Sequence, residues 1–186
     1  MKLLDLDRVN KLIDMAIEED FGGRDPSSEL MIPQNAKGKS YIVSREEIVV
    51  CGMPIAKAVL KKYHPDLKLI VYKRDGQRAN VADKLGVIEG PIRQMLSAER
   101  VVLNFLQRLC GIATTTAKYV HAVRGTRAKI YDTRKTTPGW RELEKYAVRC
   151  GKGYNHRFSL REAVMFKDNH IAQLGSNFES KLRKLV

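Results

Sequence analysis

Six basic side chains, Arg134, Lys135, His156, Arg157, Lys167 and His170, fall within three short stretches of the chain's second half. The stretches are Asp132-Thr133-Arg134-Lys135-Thr136, Asn155-His156-Arg157 and Lys167-Asp168-Asn169-His170. Their cations alternate with Thr, Asn and Gly rather than with Glu. A solvated surface normally interleaves Lys and Arg with acids, whereas fixed, uncompensated cations hold small, highly charged anions. Arg134 offers a planar guanidinium for bidentate contact with carboxylate or phosphate. Lys135 offers a point cation for a phosphate or pyrophosphate oxygen. An isolated Arg-Lys pair would default to a solvated loop; the flanking hydroxyls of Thr133 and Thr136 favour a site.

Other positions stay open on spacing alone. His156 fits a neutral donor, an anion-binding imidazolium or a satisfied core histidine. Gly151 and Gly153, around Lys152, either let the backbone pass close to a ligand or simply stop a helix, and the helix stop is the simpler reading. Arg100 lies mid-helix beside Glu99, with Asn104 rather than an acid one turn on, and is ambiguous. His156, His170 and Asp168 are ligand types for zinc, but an imidazole–carboxylate zinc site does not sit among several Arg and Lys cations. No Ser–His–Asp or Cys–His arrangement is legible.

The elements that must position these residues follow from periodicity. Val9, Leu12, Ile13, Ala16 and Ile17 recur at helical spacing, with Asp7 placed to cap the start and Gly22-Gly23 to stop it. After a turn-rich stretch over 22–33 come strand-like runs at 40–44 and 48–51, and a helix over 55–63 entered through Pro54. Leu67, Leu69 and Val71 alternate with polar residues, and Asp75-Gly76 is a turn signal. The first ~90 residues thus read as α+β. From Pro91 a long helical pattern runs to a break at Gly111, and a second helix spans 113–123. The spacing then predicts a short strand at Lys129-Ile130-Tyr131. It places next a helix opened by Pro138, with Thr137 as cap and Trp140, Leu143, Ala147 and Cys150 inward. A strand at Ala163-Val164-Met165-Phe166 and a helix over 178–186 complete the reading. This β–α–β–α order is the grammar of a parallel sheet with crossover helices, where chemistry gathers at the carboxyl ends of strands. Two cationic stretches follow directly on the expected strands.

Composition narrows the partners. The 186 residues are 44% hydrophobic, enough for a packed core, and no apolar run approaches the roughly 20 residues of a bilayer span. The N-terminus turns acidic at Asp5, too soon for a signal peptide. Cys51, Cys110 and Cys150 form no CxxC pair and are odd in number, which reads as free buried thiols in a reducing cytosol. The expected location is cytoplasmic, with no membrane partner. The net charge of +13 fits an anionic partner or a partial balance of helix-face Lys and Arg. No nucleic-acid-binding motif is present, and with 7% aromatics no stacking platform is evident, so nucleic acid is not the expected partner.

Together these segments resemble one family. Ala98-Glu99-Arg100-Val101-Val102-Leu103-Asn104-Phe105-Leu106 and Gly111-Ile112-Ala113-Thr114 come first, and Asp132-Thr133-Arg134-Lys135-Thr136-Thr137-Pro138-Gly139 follows. With Asn155-His156-Arg157 and Lys167-Asp168-Asn169-His170 behind them, the ordered set closely resembles quinolinate phosphoribosyltransferase, the carboxylating nicotinate-nucleotide pyrophosphorylase family. Glu19-Asp20 with 22–28 is similar to its N-terminal signature, and Asp75-Gly76 falls where the family places such a turn.

The resemblance implies a pentosyltransferase of NAD biosynthesis. Quinolinate attacks C1′ of phosphoribosyl pyrophosphate, pyrophosphate leaves, and carbon dioxide is lost to give nicotinate mononucleotide, with Mg²⁺ as cofactor. It implies an α/β fold: an N-terminal α+β sandwich domain with a linking helix (1–110), then the first βα units of an incomplete α/β barrel (111–186). Quinolinate contacts fall on Arg100, Arg134, Arg157 and Lys167, with Thr133 at the ligand and Lys135 and His156 completing the positive pocket. Lys135, His156 and Lys167 are the implied catalytic set. Arg100 would serve the neighbouring subunit of a homodimer, with a hexamer as the larger assembly open to it. Lys152 stands where the family usually has glycine. The family continues for several more βα units carrying the acids that hold Mg²⁺. The expectation is thus a truncated chain or part of a longer one, with metal ligands past Val186. The alternatives are a pyrophosphorylase-like paralogue with another substrate, such as the one associated with molybdenum transport, and a basic nucleic-acid-binding module.

Overall fold

Leu85, Val87 and Ile88 make one strand apolar on both faces, and that strand is the centre of the sheet. The computed structural model of the chain describes residues 4–174 and 178–183. Strands β1 (Lys37–Val43), β3 (Lys68–Val71) and β5 (Lys84–Pro91) form an antiparallel sheet in the order β1-β5-β3, with Tyr41 and Ile70 both opposite Val87. A short ladder joins β2 (Ile48–Val49) to β4 (Arg78–Ala79). The expected strands at 40–44, 48–51 and 67–71 are present; β5 was not foreseen, because a strand buried on both faces lacks the period-two signal.

Helices α1 (Leu6–Phe21), α3 (Met53–Tyr63), α4 (Ile92–Ala122) and α5 (Arg141–Cys150) share one core that includes Ile13, Ile55, Leu60, Phe105, Leu109 and Leu143. Gly22 stops α1 in the left-handed conformation, φ 53°, as expected. Asp7 does not cap α1: the N-cap is Asp5, and Asp7 lies in the first turn, where its charge favours the helix dipole. The turn-rich stretch contains a further short helix, α2 (Pro26–Met31). Asp25 caps it by accepting from Ser28 N at 3.0 Å and Ser28 Oγ at 2.6 Å. These bonds from Ser28 hold the Asp25 carboxyl below the usual carboxylate range.

Three expectations in the second half are corrected. α4 does not break at Gly111 but runs 31 residues through it. Gly111 faces solvent, and burial of Leu109, Cys110 and Ala113 around it outweighs the roughly 1 kcal/mol of a helical glycine. Pro138 does not open α5; residues 137–140 form a turn, Trp140 N donating to Thr137 O at 3.0 Å, and Trp140 is the N-cap. Residues 163–166 form no strand, and Val164 is exposed. A parallel strand exists only against a partner. Among the described residues the one parallel pairing is a single bridge, Tyr131 to Tyr154, which flanks α5. The crossover unit is therefore Tyr131–α5–Tyr154, and Lys167 follows an unpaired segment. No helix among the described residues is long and apolar enough to cross a membrane.

The chain forms two compact units, dividing between His156 and Arg157. The second contains α6 (Asp168–Leu174) and α7 (Phe178–Arg183). The expected helix over 178–186 is present to Arg183, and 184–186 lie outside the described residues.

α5 meets α4 at Gly151. A Cβ there would press on the Ala113 carbonyl oxygen and lie 2.6 Å from Thr116 Cβ, so only glycine fits. The next residue, Lys152, is left-handed at φ 69°. That conformation explains why glycine is the expected residue, since a side chain strains it by about 1–2 kcal/mol. Lys152→Gly is expected to stabilise the fold by about 0.5–1 kcal/mol after the greater unfolded-state freedom of glycine is set against relieved strain. A raised urea midpoint at unchanged slope would show it, and a lowered midpoint would refute it.

Candidate active site

Asp132 organises the loop that carries Thr133, Arg134 and Lys135. Its Oδ1 accepts from Lys145 Nζ at 2.5 Å and from His156 N at 2.8 Å; its Oδ2 accepts from Asn155 Nδ2 at 2.5 Å. Lys145 Nζ also donates to His156 O at 2.8 Å, and Asn155 Nδ2 to Lys145 O at 2.9 Å. The Asp132–Lys145 side chains are 7% and 6% exposed. The acid of the first cationic stretch is thus wholly occupied by a lysine of α5 and neutralises neither Arg134 nor Lys135.

The loop is shaped from its other side by two arginines. Arg141 Nε donates to Thr136 Oγ1 at 3.1 Å and its Nη2 to Arg134 O at 3.2 Å. Arg108 on α4 donates to Thr137 Oγ1 and pairs with Glu144 at 2.6 Å, its guanidinium lying 5.1 Å from the Trp140 ring centre. Thr133 Oγ1 accepts from Lys135 N at 3.0 Å. The threonine hydroxyls therefore serve first to fix the loop. Arg134, half-buried, keeps its Nε–H out of water without a hydrogen-bond partner among the described residues. Leaving a buried guanidinium donor unpaired costs about 1–3 kcal/mol, which an anionic acceptor would relieve. Lys135 is exposed and lines a cleft of about 630 Å³ with Asp132, Tyr131, Arg108, Thr137 and Glu144.

The first unit therefore brings Thr133, Arg134, Lys135 and His156 together, His156 being tied through its backbone to Asp132. Arg100 is not with them. It is exposed on α4, eight residues or about 12 Å of helix before Arg108. Arg157 and Lys167 belong to the second unit. There Arg157 Nη1 donates to Ala163 O. Lys167 O accepts from His170 N at 2.9 Å and Ile171 N at 3.0 Å, opening α6, while Lys167 N donates to His170 Nδ1 at 3.1 Å. His170 is thereby committed to a turn and an edge-on contact with Phe166.

Residues 25–110 and 112–185 match the models described as quinolinate phosphoribosyl transferase, N-terminal domain and C-terminal domain. The chain belongs to the quinolinate phosphoribosyltransferase family. It is 42% identical over 173 residues to the probable carboxylating nicotinate-nucleotide pyrophosphorylase of Bacillus subtilis, covering 93% of this chain and 60% of the relative. To the Mycobacterium leprae carboxylating enzyme it is 40% identical, covering 92% and 62%. Among solved structures, NadC from Streptococcus pyogenes superposes with a TM-score of 0.93 at 38% identity, covering 99% of this chain and 65% of that one. The chain thus spans about 60% of the length of these curated relatives. The fold reading stands: mixed α/β, with no closed barrel among the described residues.

Within this phosphoribosyltransferase fold, the residues that sequence reasoning missed are Lys145, Arg141 and Arg108. All three lie on helices, where a basic residue reads as solvated surface. The available signal for Lys145 was Asp132, the lone acid of its cationic stretch, which needed a cation from elsewhere.

Proposed function

We propose that this chain carries the phosphoribosyl-transfer chemistry of its relatives: quinolinate and phosphoribosyl pyrophosphate give nicotinate mononucleotide, pyrophosphate and carbon dioxide. One observation supports it above the others. The buried, unpartnered Arg134 donor and Lys135 stand on a rigid loop whose only acid is spent on Lys145. Such a loop suits a dicarboxylate beside a phosphorylated sugar. Fixed donors that need not reorganise as charge develops are the electrostatic form of catalysis this reaction requires. Arg134 takes a quinolinate carboxylate, with Thr133 beside it; Lys135 and His156 face the phosphorylated sugar. For Arg157 and Lys167 a quinolinate contact rests on the family resemblance alone. Incubating the protein with quinolinate, phosphoribosyl pyrophosphate and Mg²⁺, and assaying nicotinate mononucleotide by chromatography, tests the reading. Binding of neither substrate by calorimetry would overturn it.

The Mg²⁺ expected with this chemistry does not fit the cysteine-containing triplet Cys51, Asp75 and Cys150. Mg²⁺ demands hard oxygen donors, whereas the one triplet of potential donors among the described residues is Cys51, Asp75 and Cys150. Asp132 already accepts from three donors.

The homodimer belongs to the same proposal. Arg100, exposed and remote along α4, acts in the neighbouring subunit's site. At quinolinate well below saturation, Arg100→Ala and Arg134→Ala are each expected to lose at least about nine-tenths of turnover, whereas an equal mixture of the two, co-refolded, regains about one quarter of wild-type activity. Half of the dimers are then mixed, and one of their two sites is intact. No recovery on mixing would place Arg100 in its own subunit's site or in none.

A further inference from the structure

Away from that loop, Cys51, Asp75 and Cys150 converge from three places: the residue before the α3 N-cap, the Asp75-Gly76 turn and the last residue of α5. The two sulfur atoms and a carboxylate oxygen lie within 4.8 Å of one another. Asp75 is fully engaged. Its Oδ1 accepts from Met53 N at 3.0 Å, and its Oδ2 from Gly52 N at 2.8 Å and Tyr146 Oη at 2.7 Å. The carboxylate caps α3 and ties α5 to it, which leaves the sulfurs as the reactive pair. Cys110 is turned elsewhere: its Sγ accepts from Cys51 N at 3.2 Å and donates to Cys51 O at 3.3 Å. The Cys51 sulfur instead lies beside that of Cys150, within 4.8 Å.

The two thiols are unequal. Cys51 is wholly buried and Cys150 half-buried. The Cys150 sulfur beside it, together with burial, pushes Cys51 far up. The neighbouring Cys51 thiol in turn lowers Cys150, helped by Tyr146 and the Lys152 ammonium, against burial and the Asp75 charge. Cys150 is thus the sulfur that meets solvent and ionises the more readily, with Cys51 the buried partner behind it.

We propose that Cys51 and Cys150 form a reversible dithiol–disulfide pair whose oxidant is a small hydroperoxide. The Cys150 sulfur attacks the outer peroxide oxygen, the O–O bond breaks, and the leaving oxygen takes a proton to depart as water or alcohol. Cys150 is thereby oxidised by two electrons to a sulfenic acid. The Cys51 sulfur then attacks the Cys150 sulfur, the S–O bond breaks, and hydroxide leaves as water with the Cys51 proton. Two thiols and one hydrogen peroxide become one disulfide and two waters. The bond would pin the start of α3 to the end of α5, directly before Gly151 and the segment leading to His156. The inference is independent of the substrate reading.

The reduced chain is treated with hydrogen peroxide, and its intact mass and peptide map are read without reductant. The expected result is a loss of about 2 Da and a Cys51–Cys150 linked peptide, both reversed by dithiothreitol. Cys110→Ala leaves that result unchanged, and Cys51→Ser diverts Cys150 to the sulfinic acid, about 32 Da heavier. The wild-type map carries the test without any substitution. A linked peptide containing Cys110, sulfinic Cys150 as the sole product in wild type, or stoichiometric zinc in the purified protein would each overturn the proposal.

Discussion

Replacing Arg134 with Ala is expected to weaken quinolinate binding about 10- to 150-fold while leaving the fold as stable as before, or slightly more so. The two halves of that outcome have one origin. A guanidinium donating to a carboxylate is worth about 1.5–3 kcal/mol per charge-assisted contact, which sets the affinity loss. In the free protein, however, Arg134 Nε is buried without a partner among the described residues, so the side chain is a burden until an anion arrives. Its removal relieves that burden, the usual exchange of function for stability at a site. Arg134→Lys separates charge from geometry: the cation remains but the planar fork is lost, and affinity is expected between the other two. Calorimetric titration with quinolinate beside thermal melts decides the matter. A lowered melting temperature with unchanged affinity would make Arg134 a structural residue and remove it from the site.

The sequence made the cationic stretches visible because charge without acidic alternation is a local signal. Arg134 and Lys135 stand out there by charge alone. It also made α1, α3 and α5 visible, whose apolar faces keep helical spacing. Long-range pairing stayed hidden. Nothing local distinguishes Ala163-Val164-Met165-Phe166, which forms no strand, from Tyr154, which pairs in parallel with Tyr131. Apolar runs report burial tendency, and a ladder needs a neighbour at the right place. Gly111 misled for the opposite reason: a local helix breaker was overruled by the buried residues on either side of it. Lys152 shows what a residue type can carry, since an expected glycine marked a left-handed position that the structure then displays. The polar side of the site was the least legible. Lys145 sits in α5 between Glu144 and Tyr146, and its aim at Asp132 is a consequence of packing.

That buried pair sets the second large effect. Asp132→Ala is expected to destabilise the first unit by about 3–5 kcal/mol, because it strands the Lys145 ammonium in a site only 6% exposed. It also deprives Asn155 Nδ2 and His156 N of their acceptor. Lys145→Met is expected to do less damage: the carboxylate keeps Asn155 and His156 N as donors, and the thioether fills much of the lysine's volume. The two substitutions together should cost less than their sum, since the second removes the charge that the first leaves uncompensated. Stability is one readout, from urea midpoints at constant slope. The other is the His156 amide, whose hydrogen exchange should accelerate in Asp132→Ala well before global unfolding, because that amide donates to the missing carboxylate. A structural lysine alone would not move it. If Asp132→Ala lay within about 1 kcal/mol of wild type with His156 still protected, the pair would not be what holds Thr133, Arg134 and Lys135 beside His156, and the rigid-loop argument for the anion site would fall with it.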